Sequence, residues 1–164
     1  KKISEIHIKA LHPLEIKFAK KFKLEKRRLE FLTSRILFHH ITSCQSPLLK
    51  AYNQRPIFPF PWNGSITHKN EFLALYLKPT PYKSAGIDLE EVKVLSNVFN
   101  RITTEDERST LSKNLKENFS KSEIYTLIFS SKESIYKCYN HIIDINLTFE
   151  NFKISKISKK ILFL

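Results

Sequence analysis

Apolar residues at helical spacing predict two helices near the start of the chain. In the longer one, over residues 25–40, Leu29, Leu32 and Ile36 fall at i, i+3 and i+7 and form one stripe. Ahead of it, a proline suits the first position of a Lys-rich helix over residues 13–22. Each helix would pack one face on a core and leave the opposite face to solvent.

Two runs in the middle of the chain predict strands. Residues 72–77 are continuously apolar, which favours a strand that is buried on both faces. Residues 86–90 alternate, so that two apolar side chains would face the core while Asp88 and Glu90 share the other face. Because only a short connection separates the two runs, we expect them to pair as antiparallel neighbours.

Capping signals predict two later helices. A Thr-x-x-Glu box that ends at Glu107 predicts a helix over residues 104–116. A Ser-x-x-Glu box that ends at Glu133 predicts another over residues 129–139, with Lys137 one turn beyond the glutamate.

Composition excludes several classes of protein. The chain has 164 residues, of which 41% are hydrophobic and 27% charged, so it is neither disordered, collagen-like nor disulfide-rich. Lys and Arg number 28 against 16 for Asp and Glu, which gives a net charge of +12. We therefore expect an anionic partner, either nucleic acid, lipid head groups, a phosphorylated small molecule or an acidic protein.

Other features of the composition concern location and completeness. No apolar run approaches the ~18 to 20 residues of a membrane span, so we expect none. Cys44 and Cys138 lie far apart with no signal peptide ahead of them, which predicts reduced thiols in a cytoplasmic protein. The histidines lack zinc-binding spacing. Because methionine is absent even at position 1, we expect a fragment or unwritten residues, with compressed motif spacings.

The acidic residues suggest a metal site. Asp88 and Glu90 would lie about 7 Å apart by the ~3.3 Å rise per residue, which is unfavourable unless a cation lies between them. Mg²⁺ is the hard cation that carboxylates and substrate phosphates share. Two solvated acids on an exposed face are the plainer alternative. Glu133 is a candidate third ligand, although a helix cap and an i, i+4 ion pair with Lys137 also explain it.

Basic residues are aligned on two of the predicted helices. Arg28 and Arg35 lie two turns apart on one stripe, and Lys132 and Lys137 share the later helix. Charge runs on helices are usually solvated faces, and these residues gain meaning only beside a phosphate.

Glycine is unusually rare in this chain. The two glycines, Gly64 and Gly86, each precede a candidate site segment, so we expect a backbone geometry there that tolerates no side chain. A stiff proline-rich loop over residues 55–62 leads into the first of them.

The order of these blocks resembles the 4′-phosphopantetheinyl transferases of the surfactin-synthetase type, most closely the enterobactin-synthase component D branch. The Gly-Ile-Asp-Leu-Glu block at 86–90 and the Phe-Ser-Ser-Lys-Glu-Ser block at 129–134 are specific as a pair. Gly-Ser-Ile-Thr-His at 64–68 precedes both. The other matching blocks cover residues 26–35, 55–62, 85, 104–108 and 135–137.

The resemblance implies an α/β (α+β) fold of two pseudo-symmetric lobes, each a small antiparallel sheet packed with helices. Residues 1–77 would form the lobe with the coenzyme A-binding helix and the proline-rich loop. Residues 78–164 would form the lobe with the metal-binding strand and the later helix. Because family members run longer, we expect the C-terminal edge of this fold to be incomplete.

The resemblance also implies a reaction, in which the phosphopantetheine arm of coenzyme A moves to a serine of an acidic acyl- or peptidyl-carrier protein. Adenosine 3′,5′-bisphosphate is released, and Mg²⁺ is the cofactor. We expect a monomer, acting in siderophore, other nonribosomal peptide or fatty-acid synthesis. The alternative is a basic module that binds nucleic acid without catalysis, which accounts for the charge but leaves the three carboxylates unexplained. A degenerate, inactive transferase is a third alternative.

Carried over residue by residue, the resemblance implies three groups of site residues. The metal ligands would be Asp88, Glu90 and Glu133. The pyrophosphate would meet Lys137, Lys132, His68 and the backbone at Thr67, and the 3′-phosphate and adenine would meet Arg28, Arg35 and Arg55. The serine proton would pass to Glu133, Glu107 or a metal-bound water, and these alternatives stay open.

Overall fold

The structure, a computed structural model, describes residues 8–79, 84–93, 96–109, 119–139 and 147–154. Residues 105–109 within these ranges are helical, and a 3₁₀ turn covers Phe149–Asn151. Among the described residues, no helix is both long and apolar enough to cross a membrane. The helices and strands are α1 (Pro13–Ala19), α2 (Glu25–Thr42), β1 (Leu49–Lys50), β2 (Pro56–Ile57), β3 (Trp62–Lys69), β4 (Phe72–Pro79), α3 (Ser96–Ile102) and α4 (Lys121–Tyr139).

Helices α1 and α2 pack together through a buried polar cluster. His39 Nε2 lies 2.9 Å from Glu15 Oε2, and the Leu48 N–H donates to Glu15 Oε1 at 2.7 Å. Glu15 is fully buried, so these partners satisfy a carboxylate that would be costly to remove from water alone. Both helices predicted for this region are confirmed, and the first ends at Ala19 instead of residue 22.

Within the described ranges, strands β3 and β4 form the longer of two small antiparallel sheets. In their hairpin Gly64 faces Leu77 and Lys69 faces Phe72. The turn between them contains Asn70 at φ 54°, a left-handed conformation that asparagine tolerates well. The strand predicted at 72–77 is confirmed, while β1 and β2 pair separately.

Residues 86–90 do not form a strand, and the prediction that they pair with β4 is wrong, because β4 pairs with β3. The segment is held by hydroxyl groups of β3 instead. The Ile87 N–H donates to Ser65 Oγ at 3.2 Å, and the Leu89 N–H donates to Thr67 Oγ1 at 3.1 Å. Since the two hydroxyl residues are two positions apart on a strand, they point to the same face, and the segment lies across that face.

Helix α4 begins well before the predicted start, and the prediction that Ser130 caps it is wrong. The cap is Ser120, whose Oγ accepts from the Glu123 N–H at 3.3 Å while its own N–H donates to Glu123 Oε2 at 2.7 Å. The early start lets Ile124 and Ile128 join a core with Phe99 and Ile102 of α3. Ser130 and Glu133 therefore lie in the interior of the helix.

The other predicted box is confirmed. The Thr104 N–H donates to Glu107 Oε2 at 3.0 Å, and the Glu107 N–H donates to Thr104 Oγ1 at 3.3 Å. Of the helix predicted over 104–116, residues 105–109 are helical and residues 110–116 lie outside the described part of the chain.

In fold class the protein is a mixture of helices and small antiparallel sheets. Both sheets precede residue 80, and the described residues from 84 onward contain no strand. The sheet expected in the C-terminal lobe, the pseudo-symmetry of the two lobes and the lobe boundary after residue 77 stay predictions.

Candidate functional site

The acidic segment, residues 84–90, is held between β3 and α4. A Cβ atom on Gly86 would lie 1.8 Å from the backbone oxygen of Ser134 and 2.8 Å from the backbone nitrogen of Cys138. The Cys138 Sγ–H also donates to the Ser84 carbonyl at 3.2 Å. The segment therefore approaches α4 closely enough that only glycine fits at position 86.

Asp88 lies where the three elements meet. Lys137 Nζ is 2.6 Å from Asp88 Oδ1, and Thr67 Oγ1 donates to the same oxygen at 3.2 Å. The Asp88 side chain is only 5% exposed, and its second oxygen, Oδ2, is buried without a hydrogen-bond partner. A carboxylate with one unsatisfied buried oxygen is a position that attracts a further cation or donor.

The two other predicted metal ligands are Glu90 and Glu133, and Glu133 interacts electrostatically with both Asp88 and Glu90. Burial raises the pKa of Glu133, and although Lys137 lowers it, the negative charges of Asp88 and Glu90 raise it further. Glu90 forms an ion pair with Lys69. No three His, Cys, Asp or Glu side chains within the described ranges come close enough together to hold a metal ion.

These residues nevertheless fit Mg²⁺ in their chemistry. Carboxylate oxygens are the ligands that this ion prefers, and the unpartnered Oδ2 of Asp88 leaves one such oxygen available. Burial is the main cause of the raised pKa of Glu133, but the negative charges of Asp88 and Glu90 add to it, and a divalent cation would offset these charges.

Thr67 and His68 connect the acidic segment to a groove. Thr67 Oγ1 is 3.3 Å from Lys137 Nζ, and His68 Nδ1 is 3.4 Å from Glu30 Oε1. Burial lowers the pKa of His68, and the charge of Glu30 opposes this effect. The nearby positive charges of Arg27, Lys137 and Lys50 lower the pKa further. The neutral form of His68 is therefore favoured at pH 7.

The groove consists of two cavities that share Arg27, Glu30 and His68. The larger, of about 470 Å³, reaches Glu90 and is within the size range of small-molecule sites. The smaller, of about 130 Å³, extends between α2 and the first sheet. Together the cavities are lined by six basic side chains, Lys26, Arg27, Arg35, Lys50, Lys69 and Lys93.

The three predicted arginines differ in their surroundings. Arg35 is buried, donates to the Leu48 carbonyl at 2.9 Å and lines the smaller cavity, and burial lowers its pKa to about 10. Its Nη2 is buried without a partner. Arg28 is exposed, pairs with Glu25 at 3.6 Å and lines neither cavity. Arg55 lies in the connection between β1 and β2, where its N–H donates to Asn53 Oδ1 at 3.3 Å.

Lys132 and Glu107 face the core and not the groove. Lys132 is fully buried and donates to Ile102 O at 2.6 Å, Glu107 Oε2 at 2.9 Å and Phe149 O at 3.1 Å. An ammonium group has three donors, so none is left here for a substrate phosphate. Glu107 is 1% exposed and accepts from two backbone N–H groups as well.

Reasoning from sequence did not assign Lys26, Arg27, Lys50, Lys69 or Lys93 to the site. The Lys-Arg-Arg run at 26–28 was visible, but its pattern could not decide which member faces the groove. Lys50 and Lys69 gave no local signal, because their role depends on how the hairpin packs beside α2.

Comparison with known proteins concerns the second half of the chain. No curated protein matches the chain. The family model of the 4′-phosphopantetheinyl transferase superfamily matches residues 84–163, just under half of the chain. The match contains the acidic segment and the whole of α4, and therefore Asp88, Glu90, Glu133 and Lys137. Residues 84–163 are thus similar to the 4′-phosphopantetheinyl transferase superfamily.

Proposed function

We propose that the protein transfers the 4′-phosphopantetheine group of coenzyme A to a serine hydroxyl of an acidic apo acyl- or peptidyl-carrier protein. The observation that carries the proposal is Asp88, which is buried between Thr67 and Lys137 with one unpartnered oxygen. Its charge and that of Glu90 both act on Glu133. Glu90 in turn lines a groove with basic side chains. The superfamily match over the same segment supports a transferase of this kind.

Asp88, Glu90 and Glu133 would hold Mg²⁺ once their carboxylates draw closer together than they are in the structure. When bound, this ion supplies positive charge that neutralises the pyrophosphate of coenzyme A. Lys137 adds a further positive charge at the same place, since its Nζ lies 2.6 Å from Asp88 Oδ1. Catalysis of phosphoryl transfer depends mainly on such charge and on alignment of the reacting groups.

The groove would bind the nucleotide part of coenzyme A. Arg35 and Lys50 line its smaller cavity, where they suit the 3′-phosphate, while Arg27 and His68 line both cavities. Burial lowers the pKa of Lys50, and the charges of Arg35 and Arg27 lower it further. A polyanionic ligand would relieve this repulsion, because its negative charge stabilises all three cations. Contacts of Arg28 and Arg55 stay predictions.

In the reaction, the serine oxygen forms a bond to the phosphorus that bears the pantetheine, and the bond from this phosphorus to the bridging oxygen breaks. The bridging oxygen leaves with adenosine 3′,5′-bisphosphate. Glu133 is the side chain better placed to accept the serine proton, since Glu107 is buried with all its partners inside the protein. The raised pKa of Glu133 favours this role near neutral pH.

The test is a transfer assay with the full chain, coenzyme A, Mg²⁺ and an acidic apo-carrier protein. We expect a phosphopantetheine adduct on the carrier serine by mass spectrometry, together with released adenosine 3′,5′-bisphosphate. Asp88→Asn should lower kcat by roughly 10²- to 10³-fold, whereas Asp106→Asn, at an exposed site, should not. Absence of transfer to every apo-carrier tested, by a protein that is folded and loaded with Mg²⁺, would contradict the proposal.

The site draws on β3, the acidic segment and α4 of a single chain, which supports the expected monomer. The cytoplasmic location and the pathway stay predictions.

A further inference from the structure

A buried ion pair between Lys132 of α4 and Glu107 holds several segments of the C-terminal half together. Lys132 Nζ binds the end of α3 through Ile102 O, the 3₁₀ turn through Phe149 O, and Glu107. Glu107 in turn accepts from the Ile154 N–H at 2.8 Å and from the Thr104 N–H at 3.0 Å. Both charged groups are at most 1% exposed, and the three donors of Lys132 and both oxygens of Glu107 have partners within the protein.

The position of this pair on α4 relates it to the candidate site. At about 100° per residue, Glu133 follows Lys132 by about 100° around the helix and Lys137 by about 140°. The face that carries the proposed site residues is therefore next to the face that Lys132 anchors. Side-chain atoms about 6 Å from the axis would move roughly 2 Å if the helix rolled by about 20°.

A second close contact holds the opposite side of α4. Gly86 lies against the backbone of Ser134 and Cys138, so closely that a single added carbon would overlap with it. Helix α4 is thus held by the acidic segment on one side and by the Lys132–Glu107 pair on another.

We infer that Lys132 and Glu107 form a positioning pair for the proposed transfer, and that neither contacts the substrate. The pair fixes the roll of α4 so that Glu133 and Lys137 face Asp88. This inference rests on the proposed function and assigns Lys132 and Glu107 roles that differ from those implied by the family resemblance. A phosphate-binding lysine would need an unused donor facing the groove, and all three donors of Lys132 bind protein oxygens.

The first test replaces both members of the pair, because removing one would leave the other charge buried and unpaired. The double variant Lys132→Met/Glu107→Gln should fold, as judged by circular dichroism. The matched control is Lys153→Met/Asp106→Asn, which removes an exposed ion pair from the neighbouring positions. We expect the buried-pair variant to lower kcat roughly 10- to 100-fold with an unchanged KM for coenzyme A, and the control to change neither.

The second test measures the contact of α4 with the acidic segment and needs no activity. Cys138 is half-buried in this contact, so in a Cys44→Ser background the rate at which a thiol reagent modifies Cys138 reports on it. The buried-pair variant should react several-fold faster than the parent, and the exposed-pair control should not. If the double variant does not fold, Lys132→Arg, which keeps a charge paired with Glu107 but changes the placement of its donors, should show the same changes to a smaller degree.

The outcomes separate this inference from the proposed function. A wild-type protein that transfers nothing contradicts the proposed function, while the Cys138 rates still test how α4 is held. A raised KM for coenzyme A with unchanged kcat would assign Lys132 to phosphate binding and overturn the inference. Unchanged kcat, or an unchanged Cys138 rate in the folded double variant, would overturn it as well.

Discussion

The two oxygens of Asp88 have different surroundings, although they belong to one buried carboxylate. Oδ1 is bound by Lys137 and Thr67, while Oδ2 has no hydrogen-bond partner. Buried polar atoms without partners are rare, because each costs about 1–3 kcal/mol relative to a satisfied one. Such an oxygen is what the proposed Mg²⁺ site requires of Asp88.

Replacing Lys137 tests whether its ammonium group and Mg²⁺ compete for Asp88. We expect Lys137→Met to lower the stability of the metal-free protein by about 1–3 kcal/mol, since Asp88 then keeps only Thr67 as a partner. Because Lys137 no longer competes for Asp88, Mg²⁺ should raise the Tm of the variant more than that of the wild type. Thermal unfolding with and without Mg²⁺ measures both. Equal Mg²⁺ shifts in the two proteins would contradict the proposed metal site.

Gly86 is tested by the smallest possible change. Gly86→Ala adds a Cβ that would lie 1.8 Å from Ser134 O, so the acidic segment must move away from α4. We expect a loss of about 1–3 kcal/mol in unfolding free energy, typical of overpacking, and faster modification of Cys138. Adding Ser134→Gly should not restore stability, because the overlapping atom belongs to the backbone. A rescue by that second change would show that the contact is made by the Ser134 side chain.

At the scale of elements, the sequence predicted strand β4 and most of the described helices, but it missed α3 and placed the start of α4 too late. Ser120 and Ser130 are each followed three residues later by glutamate, and the local pattern does not distinguish the two boxes. The earlier one caps α4 because Ile124 and Ile128 extend the apolar face to the core of α3. Long-range packing decided between two equal local signals.

The acidic segment shows a second limit of local reasoning. Alternation at 86–90 predicted a strand, but Ser65 and Thr67 bind the segment through side-chain hydroxyls, and no periodicity encodes that choice. Asp88 and Glu133 could be selected from motif order. The burial of Lys132 could not, because it depends on carbonyl groups of Ile102 and Phe149 that lie far along the chain.

The Lys132–Glu107 pair gives the C-terminal elements a dependence on pH. Burial acts to raise the pKa of Glu107, but hydrogen bonds from Ile154, Lys132 and Thr104 outweigh it and lower the pKa below its usual range. A lowered folded-state pKa contributes stability that is fully present above the unfolded value of about 4.3 and is lost as the pH falls through the folded value.

We therefore expect Glu107→Gln to lower Tm most above about pH 5, with a difference from wild type that shrinks as the pH drops below about 4. Thermal unfolding of both proteins between about pH 3 and pH 8 measures this Tm difference. Asp106→Asn at the neighbouring exposed position is the control. A constant Tm difference over the whole range would mean that the Glu107 charge does not contribute to stability.

At the scale of the whole molecule, the net charge of +12 would attract coenzyme A, an acidic carrier protein and nucleic acid alike. Such long-range attraction weakens with salt and does not distinguish among these partners. Selectivity for coenzyme A must come from how the positive charges are arranged, and six of them line one groove that ends at Glu90.

Replacing each of two adjacent arginines in turn distinguishes the effect of where a positive charge lies from the effect of the net charge. Arg27 lines both cavities, whereas Arg28 is exposed beside Glu25 and lines neither. Arg27→Gln and Arg28→Gln remove the same charge from the same turn of α2, so any general attraction falls equally in both. We expect calorimetry to show coenzyme A binding weakened about tenfold by Arg27→Gln, the loss of one charged hydrogen bond, and nearly unchanged by Arg28→Gln. The reverse order would place the nucleotide on the other side of α2, as the family resemblance implies for Arg28, and equal small losses would leave only nonselective attraction.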